Sequence, residues 1–173
     1  MCQLKTIDMV HIALFAALMA ICSWISIPAT IPFTMQTFGV FMAVLMLGGY
    51  KGTLAILVYI ILGAIGLPVF AGFTGGLSSL FGSAGGYIIG FLFSGLSMWM
   101  IEECFGHSSI VQIISKLVGL IVCYVFGTVW FMFVYGDVSL WIVLGWCVFP
   151  FIIPDLLKMA LAFVMSNRLK RVI

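Results

Sequence analysis

Between Lys51 and Glu102 the chain reads GTLAILVYIILGAIGLPVFAGFTGGLSSLFGSAGGYIIGFLFSGLSMWMI (residues 52–101), without one Lys, Arg, Asp or Glu. An uncharged apolar run of this length is too long for a single membrane span of about 17 to 25 residues. Pro68 and the glycines after it punctuate the run, so it reads as two passes separated by an irregular segment. Residues 9–50 and 117–136 are also free of charge, and each holds at least one further pass. Across the 173 residues, seven basic and five acidic side chains make 7% charged against 65% hydrophobic. A soluble domain is about a quarter charged, because its surface must hydrate. The lipid bilayer is therefore the solvent of this chain.

The apolar stretches and their Pro and Gly breaks predict an all-α polytopic membrane protein. It forms one membrane-embedded domain over residues 1–173, with six spans at about 7–27, 38–49, 52–67, 85–101, 116–135 and 154–167. The second and third are short, so some of their ends must be buried in protein. Residues 28–37 form an irregular loop containing Pro32, Thr34, Gln36 and Thr37, and residues 68–84 form a Gly-rich segment. Glu102, Glu103, Gly106 and His107 mark a polar break, and Gly136-Asp137 marks a turn. Residues 141–149 read as a short separate helix, after which Pro150 and Pro154 interrupt the pattern; Pro154 is expected in the first turn of the last span. Lys5 followed by an apolar run resembles a secretory signal, and Leu18-Met19-Ala20-Ile21-Cys22 resembles a lipoprotein cleavage box. Ile21 is too large for that box, and the apolar run continues through Ile27, so the segment reads as the first span.

Short cytoplasmic loops retain Lys and Arg. With the N-terminus inside, Lys5, Lys51, Lys116, Arg168, Lys170 and Arg171 all lie at the inner face, which predicts a multi-pass cell-membrane protein with both termini cytoplasmic. Three irregular segments, at 28–37, 68–84 and 150–154, then meet at the outer face. Non-helical backbone at membrane depth must be buried in protein or line a cavity. A ligand pocket open to the outside follows, with the Gly-rich segment capping it.

Several functions are excluded. The seven basic residues form no cluster able to neutralise nucleic-acid phosphates. Five cysteines (Cys2, Cys22, Cys104, Cys123, Cys147) show no Cys-x-x-Cys pairing and sit mostly in apolar runs, supporting neither a disulfide framework nor a metal site. His11 and His107 are far apart and read as interfacial residues. No phosphate-binding glycine loop is present, so the chain has no machinery for hydrolysing a nucleotide.

Lys158 is the one basic residue outside the inner set. One turn inside the outer end of the last helix, its ammonium facing lipid would cost up to roughly 2.5 to 3.5 kcal/mol, so it requires a partner. Two readings stand. In one, Asp155, three residues earlier, forms a structural ion pair with it, favoured by the helix dipole behind Pro154. In the other, both side chains face the pocket, Lys158 neutralising an anionic ligand group and Asp155 accepting ligand N–H groups. The Gly-rich segment is likewise either a surface loop with Gly82, Gly86 and Gly90 packing helices, or a folded lid that keeps Phe70, Phe73 and Phe81 from water against a flat ligand. In the first span Ala13-x-x-x-Ala17 and Ala16-x-x-x-Ala20 form small-residue stripes, fitted either for internal packing or for docking a membrane partner.

These residues resemble the BioY family, the biotin-binding substrate-specificity (S) components of energy-coupling factor (ECF) transporters. The resemblance spans nearly the whole chain. It rests on Ala13-x-x-x-Ala17, Ile31-Pro32-Phe33-Thr34-Met35-Gln36-Thr37, the run from Gly66 through Phe73-Thr74-Gly75 and Ser79 to Gly85-Gly86-Tyr87, Gly127-Thr128-Val129-Trp130, and Pro154-Asp155-Leu156-Leu157-Lys158. The 66–87 run is its most specific part. It implies a six-helix protein, not an enzyme, that captures biotin from outside with no cofactor. Its implied partners are a transmembrane coupling subunit, EcfT, which meets Ala13 and Ala17, and two cytoplasmic ATPases. The ligand would be contacted by Asp155, Lys158, Thr34, Gln36, Phe73, Thr74, Gly75, Ser79, Tyr87 and Trp130. Some members carry Asn where Thr74 stands and Arg where Ile88 stands, so the resemblance loads the ligand carboxylate onto Lys158. Chemically, biotin offers ureido donors and an acceptor, an apolar ring and a carboxylate, which match Asp155, hydroxyls such as Thr34 or Ser79, aromatic walls and Lys158. Rival readings are an S component for thiamin or riboflavin, a stand-alone biotin carrier, and an intramembrane enzyme. The last lacks an acidic metal cluster or an acid/base pair.

Overall fold

The computed structural model describes residues 4–136 and 138–171. Cys2 and Asp137, singled out above, lie outside the described residues. Helix α1 (Thr6–Trp24) opens where the Lys5 N–H donates to Asp8 Oδ2 at 3.1 Å. It ends at a two-residue antiparallel ribbon, β1 (Ser26–Ile27) on β2 (Phe33–Thr34), which orders the loop expected at 28–37. The ribbon closes residues 28–32 on themselves, with Pro28, Ala29 and Thr30 exposed and Ile31 buried, so the backbone groups of an irregular segment find partners.

Helices α2 (Gln36–Leu47) and α3 (Gly49–Ala64) follow, joined by Gly48 alone at φ +82°. A left-handed residue at this one-residue joint favours glycine. The sequence of α2 is apolar on every face, the pattern of a helix enclosed by other helices. All residues from Phe38 to Leu45 are buried, in contact with α1, α3 and α8. The shortness of both helices, anticipated from the sequence, is thus tolerated because protein encloses α2 and covers one face of α3.

Of the two readings of the Gly-rich segment, a surface loop or a folded segment, the structure has it folded. It contains a single 3₁₀ turn at Ala71–Phe73 and a short helix α4 (Leu77–Phe81). The Phe70 N–H donates to Thr74 O at 3.0 Å, and the Gly76 N–H to Gly63 O at 2.7 Å. Phe70 is buried against bare Gly63, while Phe73 and Phe81 are exposed.

Helices α5 (Gly85–Phe105) and α6 (Ser109–Tyr135) form the most extensive helix pair of the bundle. The polar break expected from 102 to 115 contracts to Gly106–Ser108, because Gly106 at φ +83° ends α5 and the Ser108 hydroxyl accepts the Val111 N–H at 3.3 Å as an N-cap. Helix α6 therefore begins before Lys116, where the fifth span was expected.

Helix α7 (Leu140–Cys147) is the short separate helix expected near 141–149. Helix α8 (Phe149–Leu169) begins five residues before the expected Pro154, which lies inside the helix rather than in its first turn. Pro150 near the N-terminus costs no intrahelical hydrogen bond, and a helical backbone is the way for the exposed Phe149, Ile152 and Ile153 to sit in lipid with their peptide groups paired. Asp155 is consequently two turns into α8, and the dipole argument drawn from Pro154 does not apply to it.

Among the described residues, four stretches are long and apolar enough to cross a membrane: Thr6–Trp24, Gly85–Phe105, Ser109–Tyr135 and Leu140–Leu169, the last comprising α7 and α8. The other two expected spans are the shorter apolar helices α2 and α3. One buried cluster, running from Ile12 through Phe41, Tyr59 and Met98 to Ala162, joins them. Ala16 and Ala20 belong to it, whereas Ala13 and Ala17 face outward.

Candidate functional site

The ribbon, the folded Gly-rich segment and helices α5, α6 and α8 enclose a cavity of about 320 Å³, a volume usual for a small-molecule site. Its wall is mostly apolar, with Phe91, Ile88, Tyr87 and Phe151 among the lining residues. The lining residues Ala29, Thr30 and Thr74 are exposed and form its open rim. Asp155 and Lys158 line it too, and both are buried.

Their spacing of three on α8 places both on one helical face. The Lys158 Nζ donates to Asp155 Oδ1 at 2.8 Å and to the Thr34 carbonyl at 2.6 Å, and lies 4.1 Å from the centroid of the Phe33 ring. Asp155 Oδ1 also accepts the Thr37 hydroxyl at 2.8 Å, and Oδ2 accepts the Tyr124 phenol at 2.6 Å. The carboxylate thus carries three donors, one from each of α2, α6 and α8. A fixed buried ion pair with every partner in place is stable, whereas either half alone would be a stranded charge. The pair is an internal ion pair, as in the first reading, and both of its side chains face the cavity.

A second polar chain runs along the wall. The Thr34 hydroxyl donates to Gln36 Oε1 at 2.9 Å, Gln36 Nε2 donates to the Tyr59 hydroxyl at 2.5 Å, and that hydroxyl donates to Val69 O at 3.1 Å. Ser23 donates to the same carbonyl at 2.5 Å. The β-ribbon, α2, α3 and the start of the Gly-rich segment are therefore tied by one network that reaches the cavity through Thr34 and Gln36.

Of the residues expected to meet a ligand, Asp155, Lys158, Thr34, Gln36, Thr74, Ser79 and Tyr87 line the cavity. Three do not. Phe73 stacks on Trp24 with ring centroids 5.1 Å apart, outside the rim. Gly75 sits where a Cβ would strike the Leu67 carbonyl. Trp130 covers Gly86 and donates to Gly82 O at 3.1 Å, bracing the end of the Gly-rich segment from behind. Gly86 and Gly90 both face α6, so the glycine packing considered for this segment is present although the segment before it is folded. Sequence reasoning missed Thr37 and Tyr124, the two neutral donors to Asp155, and the ring of Phe33 beneath Lys158. Tyr124 carried a usable signal, being the single phenol in the otherwise apolar middle of α6.

Among the described residues no group of three or more His, Cys, Asp or Glu side chains is placed to hold a metal ion. Cys22, Cys104, Cys123 and Cys147 are free thiols. At the opposite end of the bundle the buried Lys116 pairs with the buried Glu102, which also accepts the Ser115 hydroxyl at 2.8 Å.

The sequence model of the BioY family matches residues 1–173. The biotin transporter BioY of Thermotoga maritima is 37% identical over 165 residues, 95% of this chain and 96% of its own length. The probable biotin transporter BioY of Pyrococcus horikoshii is 39% identical over 168 residues, 96% of this chain and 98% of its own. Among solved structures, the crystal structure of the S-component for biotin from an ECF-type ABC transporter superposes with a TM-score of 0.85. It has 26% sequence identity and covers 98% of this chain and 95% of that one. With the matches running from end to end and the helices in the same arrangement, the chain belongs to the BioY family.

Proposed function

We propose that this chain is the S component of an ECF-type uptake transporter and that it captures biotin in the cavity beneath the Gly-rich lid. The observation that carries the reading is the buried Asp155–Lys158 pair inside a largely apolar cavity of about 320 Å³. A ureido group presents two N–H donors around one C=O acceptor. Oδ2 of Asp155 accepts only Tyr124 and has acceptor capacity left, while the Lys158 ammonium uses two of its three N–H groups within the protein. The pair therefore offers one acceptor and one donor side by side, the complement of a ureido edge. The apolar ring system then packs against Ile88, Phe91 and Phe151. Nanomolar capture amounts to about 12 kcal/mol and requires the ligand to be largely dehydrated, which a closing lid supplies.

In this reading all six apolar segments cross the bilayer, α2 and α3 within a sheath of other helices, and residues 1–173 act as one domain. Both termini are cytoplasmic, with the cavity rim outside, because Lys5, Lys51, Lys116, Arg168, Lys170 and Arg171 then share the inner face. The chain carries no nucleotide loop of its own, and its partners are the coupling subunit EcfT, docking on the outward-facing Ala13 and Ala17, and two cytoplasmic ATPases. Titration of the purified protein with biotin, thiamin and riboflavin tests the ligand. Saturable heat with biotin alone supports the reading, and preferential binding of either other vitamin overturns it. Continued biotin accumulation in cells lacking the coupling subunit would instead identify a stand-alone carrier.

A further inference from the structure

The cavity holds two charged residues, Asp155 and Lys158, and they cancel. The other six basic residues of the chain are remote from it. Lys51 bonds Asp8 at 2.6 Å near the start of α1, Lys116 pairs with Glu102, Lys170 lines a separate inner cavity beside that pair, and Lys5, Arg168 and Arg171 flank the same ends of α1 and α8. A ligand carboxylate placed on Lys158 would therefore lie beside a second carboxylate. Asp155 is pinned there by Thr37 and Tyr124 as well as by Lys158, and cannot swing aside without giving up both hydroxyl donors. Such an arrangement buries a net negative charge in a low-dielectric site, which is costly. A neutral polar head suffers no such cost. The rim, by contrast, is formed by exposed Ala29, Thr30 and Thr74, where an acid group keeps its water and meets no cation.

We infer that the cavity reads the neutral ureido head of its ligand and leaves the acid end at the rim, so that carboxyl-derivatised biotins, the amides and esters, are ligands of this protein on a par with free biotin. This rests on the biotin reading above and extends it from one acid to a class of biotinyl compounds. It also reverses the expectation that Lys158 takes the carboxylate.

Calorimetric titration of the full-length protein in detergent at neutral pH, with biotin, biotinamide, biotin methyl ester and 2-iminobiotin, tests it. The amide and the ester are expected to bind with Kd within tenfold of biotin. 2-Iminobiotin, whose guanidinium replaces the ureido carbonyl and would face the Lys158 ammonium, is expected to bind more than tenfold more weakly. A loss of more than tenfold for the amide and ester, or 2-iminobiotin binding within tenfold of biotin, overturns the inference while leaving biotin as the ligand. Absence of saturable binding by biotin itself overturns the functional reading and this inference together.

Discussion

The Tyr124 phenol on α6 donates to Asp155 Oδ2 on α8 at 2.6 Å, fastening two helices across the cavity wall. A hydrogen bond to a buried carboxylate is charge-assisted and contributes about 1.5 to 3 kcal/mol. Tyr124→Phe keeps the ring and removes the donor. Biotin affinity is expected to fall by that amount, and the melting temperature of the unliganded protein with it. Unchanged binding would show that Asp155 does not need this restraint.

Lys158→Ala leaves the Asp155 charge buried with neutral donors only, and is expected to weaken biotin binding by about 2 to 5 kcal/mol. Much of that loss comes from the stranded carboxylate. The double variant Asp155→Asn/Lys158→Met removes both charges, and its thermal stability should exceed that of Lys158→Ala although it does not regain biotin affinity. Additive losses across Asp155→Asn, Lys158→Met and their double variant would mean the two side chains act independently.

Phe70 lies over Gly63, where a Cβ would overlap its ring. Gly63→Ala is expected to displace Phe70 from the base of the lid, at a cost of about 1 to 3 kcal/mol. Since Phe70 also lines the cavity, the effect should appear as faster biotin release in a competition chase, with the association rate little changed.

The two alanine stripes of α1 separate cleanly in space. Ala17→Leu, on the outward face, should leave biotin affinity intact while abolishing uptake in cells that express the coupling subunit and ATPases. Ala16→Leu, at a position 1% exposed, should instead destabilise the isolated protein by about 1 to 3 kcal/mol. If both variants behave alike, the outward stripe is not a docking face.

At the end of the bundle opposite the cavity, Glu102→Gln removes the partner of the buried Lys116. The expected cost is about 3 to 5 kcal/mol in stability, read as a lower melting temperature, with biotin affinity of the folded fraction unaltered because the pair is remote from the cavity.

Much of this was visible in the sequence because charge is so scarce in it. Long apolar runs mark spans whatever the fold, and an ammonium at Lys158 needed Asp155 nearby. The start of α8 was not visible, since Pro154 carries the same local signal inside a lipid-bathed helix as at its first turn, and only the environment decides. Helix α6 began earlier than expected because Gln112 and Ser115 look like loop residues until Ser115 is seen bonding Glu102. The orientation of Phe70, Phe73 and Phe81 was hidden for a different reason. A glycine-rich segment has no periodicity, so nothing in its order distinguishes the ring that turns inward from those that do not.

The mutual cancellation of Asp155 and Lys158 has an electrical consequence. A carrier whose own chamber is neutral takes on the charge of its passenger, so delivering a carboxylate vitamin into a negative interior opposes the membrane potential by up to about 2.3 kcal/mol per 100 mV. That work would fall to the ATPases, and an uncharged biotinyl amide would travel without it.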